Sequence, residues 1–124
     1  MLAGDLATRS LGIEVGDVDV GRATATMRVR PDMTNGHGIC HGGYLFLLAD
    51  TAFAFACNTH GPATVASGAE VEFLAPVSVD DVLVAQAHEV VLRGRAGVYD
   101  VTVRRGDEVV AVFRGRSRAL PPRA

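Results

Sequence analysis

The sequence predicts an α+β fold in one domain over residues 1–124, with a terminal tail from about residue 119. Three observations carry this. An early segment alternates like a half-buried strand, one long apolar helix follows a glycine-rich loop, and three or four strand-like runs fill the rest of the chain. Strands that follow one another without intervening helices pair antiparallel, so this order argues against alternating βαβ units. At 124 residues the chain can hold one compact core and is too short for two ordinary domains. With 48% hydrophobic and 21% charged residues, no repeat and no low-complexity tract, it belongs with globular chains.

Taken in order, a short helix is expected around Leu6–Leu11. In RATATMRVRP, residues Ala23, Ala25, Met27 and Val29 alternate with Arg22, Thr24, Thr26, Arg28 and Arg30, the period of a strand with one covered face. PDMTNGHGICHGG crowds Pro, Asn and Gly together and must be loop. From about Gly43 to Asn58 the residues are good helix formers without Pro, and Gly61–Pro62 closes the segment. The runs TVASGAEVEFLAP, DVLVAQAHEVVL, GVYDVTVRRGD and EVVAVFRGRSRAL then read as strands, with a hairpin turn at Gly106–Asp107. Because the helix is apolar nearly all round, a sheet should wrap one side and something else the other.

Charge and targeting signals exclude several classes. A formal net charge of −2 lacks the basic surplus of a general nucleic-acid binder, so no nucleic-acid partner is expected. The charge is uneven: residues 1–92 hold four Arg and eleven acids, residues 93–124 eight Arg and three acids. That surplus suits either a phosphorylated small molecule or a solvated strand face. Cys40 and Cys57 are too few for a disulfide framework, so free thiols in a reducing compartment are expected. The N-terminal MLAGDLATRSLGIEV lacks a basic stretch followed by an apolar one, so no signal peptide is expected and the cytoplasm is the expected location. The apolar helix falls short of the roughly 20 residues a membrane span needs and carries Asp50 and Thr51 at its centre.

Asp50 is the chemical puzzle. A carboxylate in apolar surroundings costs free energy unless it is paired, protonated or useful. It either bonds nearby backbone or marks a working site. Eight residues earlier lies Gly42, in CHGGYLF, where a glycine pair meets the helix start. The first N–H groups of a helix lack internal acceptors and carry partial positive charge, which favours an oxyanion, and glycine lets a ligand carbonyl approach without a Cβ in the way. Gly42–Gly43 is equally readable as a flexible lead-in. Eight helical steps at 1.5 Å separate Gly42 from Asp50 by about 12 Å, whereas a base and an oxyanion donor must both lie within roughly 3 Å of the reacting group or its water. If they cooperate, the acid of one chain must meet the helix start of a second, giving two equivalent sites in a two-fold dimer.

NGHGICHGGYLFLLADTAFAFACN (Asn35–Asn58), with FLAP, GVYDVTV and VFRGRS downstream, resembles the hotdog-fold acyl-CoA thioesterases, in particular the phenylacetic-acid-degradation branch (PaaI type). The likeness runs from about Leu11 to Ser117, and the Asn35–Asn58 block is its specific part. It implies a long central helix wrapped by a curved antiparallel sheet, homodimers with joined sheets, commonly paired into homotetramers, and an acyl-CoA substrate with a (hydroxy)phenylacetyl or related aryl group. It makes Asp50 the catalytic carboxylate and Gly42 the backbone donor to the thioester oxygen. It also implies that Asn35 helps polarise the carbonyl, that His41 orients that group, and that Ser67 helps hold the water. No cofactor is expected beyond the coenzyme A of the substrate. Asp50 would accept a proton from water or attack the carbonyl itself, and burial would raise its pKa toward a useful range.

Other constellations compete with this one. His37, Cys40 and His41 in HGICH invite zinc, but a complete site uses three or four ligands and no Cys-x-x-Cys or His-Glu-x-x-His accompanies them, so no metal is expected. Cys40 and His41 are neighbours in extended chain and point apart, a weak sign of a thiol nucleophile. Gly43 and Tyr44 at the helix start, and Arg93, Arg95 and Gly97 in RGRAG, are candidates for substrate binding; either Arg93 or Arg95 suits a coenzyme A phosphate, and a solvated turn is the alternative. Tyr44, Phe46 and Phe53 either line an acyl pocket or are plain core. Two further classes stay open: a hotdog-fold hydratase or dehydratase, which would pair a His with an acid, and a non-catalytic acyl-CoA binding module.

Overall fold

A computed structural model describes residues 4–122 of the chain. The elements run α1 (Leu6–Ser10), β1 (Glu14–Asp19), β2 (Arg22–Arg28), a 3-10 turn (Pro31–Met33), α2 (Gly42–Cys57), β3 (Thr64–Phe73), β4 (Val82–Arg93), β5 (Ala96–Arg105) and β6 (Glu108–Ala119). The six strands form one antiparallel sheet in the order β1-β2-β4-β5-β6-β3. It curls around α2, which packs against β2, β4 and β5 and reaches β3 and β6 at the flank. This is the hotdog architecture. The two-residue turn at Gly106–Asp107 is present, with Gly106 at φ +59. Strand β1 is an addition to the elements expected, and of the expected tail, Arg123 and Ala124 lie outside the described residues.

The core explains the close approach of helix and sheet. Ala23, Ala25, Ala85 and Ala87 face inward from β2 and β4, opposite Ala49, Ala52 and Ala56 of α2, while Leu45, Leu48, Met27 and Leu83 fill the space between. Fully burying each such Leu or Met contributes roughly 1.5–3 kcal/mol. Phe53 lies between Tyr99 and Phe113, at ring-centroid distances of 5.6 and 5.8 Å. It rests flat on β6 because residue 115 is glycine: a Cβ there would come within 2.8 Å of the Phe53 ring. One stripe of α2 escapes this cover. Gly43, Leu47, Asp50 and Ala54, spaced four, three and four apart, are all partly or fully exposed.

The helix ends are tied by side chains. His41 is the N-cap, its Nδ1 accepting from the Gly43 N–H at 3.1 Å. At the other end Asn58 donates through Nδ2 to the carbonyls of Ala54 (2.8 Å) and Thr64 (3.1 Å) and accepts the Thr64 N–H at 2.9 Å. Asn58 thus fixes the step from helix into β3. Above mid-helix, α1 docks through Thr8 Oγ1, which lies 3.1 Å from Thr51 Oγ1 and donates to Asp5 Oδ2 at 2.7 Å.

Candidate active site

The loop before α2 is pinned at several points. The Cys40 N–H donates to the Val77 carbonyl and the His41 N–H to the Met33 carbonyl, both at 2.7 Å. Asn35 turns its Oδ1 into the loop, accepting from the N–H of His37 (2.9 Å) and of Ile39 (3.4 Å). Its Nδ2 meets no acceptor among the described residues, leaving an amide donor facing out. Because His41 Nδ1 accepts the hydrogen bond from the Gly43 N–H, the ring carries its own N–H at Nε2. The cap satisfies Gly43, while the Gly42 N–H meets no acceptor among the described residues and lies at the positive end of the helix. Asn35, His41, Gly42 and Gly43 share one cleft of about 570 Å³, whose remaining walls are apolar, Ile39, Leu45, Phe46, Phe73 and Val77 among them.

The other expected site residues lie elsewhere on the chain. Asp50, half-buried on the uncovered stripe of α2, is eight residues from Gly42, about 12 Å at 1.5 Å per residue. Burial raises its carboxyl above the ordinary value, and the nearby Asp5 carboxylate raises it further. No donor among the described residues bonds it. Ser67 is the extra residue of a bulge in β3, exposed, its Oγ donating to the Arg116 carbonyl at 3.2 Å. Six residues separate it from Phe73, about 20 Å along a strand at 3.3 Å per residue. Ser67, Arg93 and Gly97 line a second hollow of about 430 Å³ together with Arg116 and Arg118. Arg93 and Arg118 have no ion-pair partner among the described residues. Arg95 faces a smaller neighbouring hollow beside Cys57 and His60. Tyr44 packs partly against the core and is not among the residues walling the cleft of Gly42.

The single chain therefore gathers the donors and separates them from the acid and from Ser67. Other groups yield less. On the outer sheet face a hollow of about 410 Å³ lies between Glu70, His88, Asp100 and Arg114, but Arg114 there is already held by Asp100 at 2.7 and 2.9 Å. Among the described residues, no group of three His, Cys, Asp or Glu side chains stands ready to hold a metal ion, and no helix is long and apolar enough to cross a membrane. Phe73 and the capping role of His41 were not anticipated. Phe73 ends a strand 31 residues after Gly42, and only the fold brings its ring onto that glycine.

Residues 37–112 match the thioesterase superfamily. Over 121 residues the chain is 45% identical to the acyl-coenzyme A thioesterase PaaI of Escherichia coli (strain K12), covering 97% of this chain and 86% of that protein. The solved E. coli PaaI protein from the phenylacetic acid degradation operon superposes with a TM-score of 0.95 at 43% identity, covering 98% of this chain and 88% of that one. The TT0310 protein from Thermus thermophilus does so with a TM-score of 0.91 at 38% identity, covering 94% and 98%. A helix wrapped by one curled antiparallel sheet, together with these matches, places the chain among the hotdog-fold thioesterases. The chain belongs to the thioesterase superfamily.

Proposed function

We propose that the protein hydrolyses acyl-CoA thioesters, with (hydroxy)phenylacetyl or related aryl groups as the acyl part, at two equivalent sites formed between two copies of the chain. The observation that carries this is the division of labour within one chain. The cleft offers two unpaired donors, the Gly42 N–H and Asn35 Nδ2, and no carboxylate, while Asp50 waits unbonded on the bare stripe of the helix about 12 Å away. An antiparallel second copy brings its Asp50 to the first copy's Gly42, and the reverse. The two donors polarise the thioester carbonyl and hold the developing oxyanion, with His41 fixing the helix start between them. Asp50 of the second copy takes a proton from water, or attacks the carbonyl to give an anhydride that water then opens, and its Ser67 holds the water. The C–S bond breaks, coenzyme A leaves as its thiolate, and the acid is released. Arg93, with Arg95 beside it, suits the coenzyme A phosphates. The aryl preference is supported by the likeness to the E. coli protein of phenylacetic acid degradation. Pairing of two such dimers into a tetramer is what the family resemblance adds.

Thiol release from a panel of acyl-CoA esters tests this. Asp50→Asn should lower turnover by about a hundredfold or more, the usual contribution of a general base, with circular dichroism and ester binding retained. Wild-type turnover in the variant would end the catalytic assignment of Asp50. No release from any ester by the wild type would favour a binding module, and water addition to an enoyl-CoA would favour a hydratase.

A further inference from the structure

Phe73 stands apart from the other aromatic residues. Phe46, Phe53, Tyr99 and Phe113 meet edge-on or tilted, and Tyr44 and Phe55 are partly buried against the core, whereas Phe73 is 52% exposed at the end of β3. Its ring lies against the backbone of Gly42: a Cβ on that glycine would be 2.8 Å from Cζ and 3.1 and 3.2 Å from the two Cε atoms. The ring therefore forms part of the wall of the cleft that Gly42 lines, together with Ile39, Phe46 and Val77. The polar side chains lining this cleft are those of Asn35 and His41, beside the Gly42 and Gly43 backbone. A carbonyl held by the Gly42 N–H and Asn35 leaves the rest of its acyl group among apolar side chains, with the Phe73 ring alongside.

We propose that Phe73 is the specificity-determining surface of the cleft, on which the aromatic ring of an aryl thioester stacks. This rests on the reading of the cleft as an acyl-CoA site. Aromatic pairs prefer offset or edge-to-face contact and gain beyond the area they bury. A flat ring thus benefits from Phe73 more than a short aliphatic chain does. The apolar area of the same ring is open to any acyl group.

Calorimetry on the Asp50→Asn protein, with phenylacetyl-CoA, butyryl-CoA and free coenzyme A as probes, separates these effects. Adding Phe73→Leu should weaken phenylacetyl-CoA binding by about tenfold, butyryl-CoA by much less and free coenzyme A not at all, and Phe73→Tyr should restore the aryl preference. Equal weakening of all three ligands, unchanged phenylacetyl-CoA affinity, or no binding of phenylacetyl-CoA to the parent would each overturn the role of Phe73. Absence of turnover in the wild type, with this pattern of binding intact, would count against the hydrolase alone.

Discussion

Asp50 combines two burdens: it is partly withdrawn from water and it stands near another carboxylate, Asp5, the N-cap of α1. Both disfavour its charge, desolvation more than Asp5. In the proposed role Asp50 works only when deprotonated, so activity should fall on acidification through a midpoint above the ordinary carboxylate value of 3.8. Asp5→Asn keeps a capping oxygen for Thr8 but removes the charge. It should move the acid limb of the pH–rate profile to lower pH, and an unmoved limb would separate Asp5 from the working acid. The same shift bears on stability. A carboxyl whose folded pKa is raised holds its proton longer folded than unfolded, so stability falls as pH rises from the ordinary value through the raised one. Asp50→Asn should therefore unfold at higher denaturant than the wild type at neutral pH, and the difference should vanish below pH 3.8, where both states are protonated. Equal stabilities at neutral pH would mean that Asp50 is ionised without penalty.

At the scale of elements, α2 is held by its two ends as well as by its apolar surface. The Asn58 side chain makes three bonds to backbone groups at the C-terminal end, two of them to Thr64. Asn58→Ala leaves a part-buried carbonyl and N–H unpaired and should cost about 2 kcal/mol, within the range for an unsatisfied buried group. A lower urea midpoint with an unchanged slope would show it; an unchanged midpoint would mean that water replaces the side chain without loss. The helix was legible in the sequence to within a residue at each end, and β2 and the later strands were legible because their inward residues alternate. Strand β1 was not. Its residues are exposed apart from the half-buried Val15, Asp17 takes a positive φ of 49°, and the pairing is irregular between Gly16 and Asp19, so no period-2 apolar pattern exists to be read. The candidate site was legible where it is local, in the run Asn35–Gly43. The cap by His41 depends on a rotamer, and the contact of Phe73 with Gly42 on tertiary packing, and neither leaves a trace in residue spacing.

For the whole molecule, the question is where a second copy sits. Strand β3 is a ten-residue sheet edge with Val65 and Phe73 exposed, the kind of edge that invites pairing with another chain. If Asp50 of one copy reaches Gly42 of the other, the two-fold axis crosses α2 halfway between these residues, about 6 Å from Gly42. Phe73 touches Gly42, so the axis should cross β3 about two residues before Phe73, at Val71, with 3.3 Å per residue. A separate requirement, that Ser67 of the second copy lie opposite Phe73, puts the axis midway between them, at Glu70. The two requirements agree within a residue, although one uses the helix and the other the strand. Antiparallel pairing about that point places residue 70 or 71 opposite its own copy at a Cα separation of about 4.5–5.5 Å, within the range a disulfide bridges. Glu70→Cys or Val71→Cys should therefore oxidise to a covalent dimer on a non-reducing gel. Val65→Cys should not, because five or more residues from the axis its two copies lie about 33 Å apart along the strands. The native Cys40 and Cys57 are buried and should give little background. A protein that sediments as an active monomer, or that cross-links through residue 65 in preference to 70 and 71, would remove the shared site.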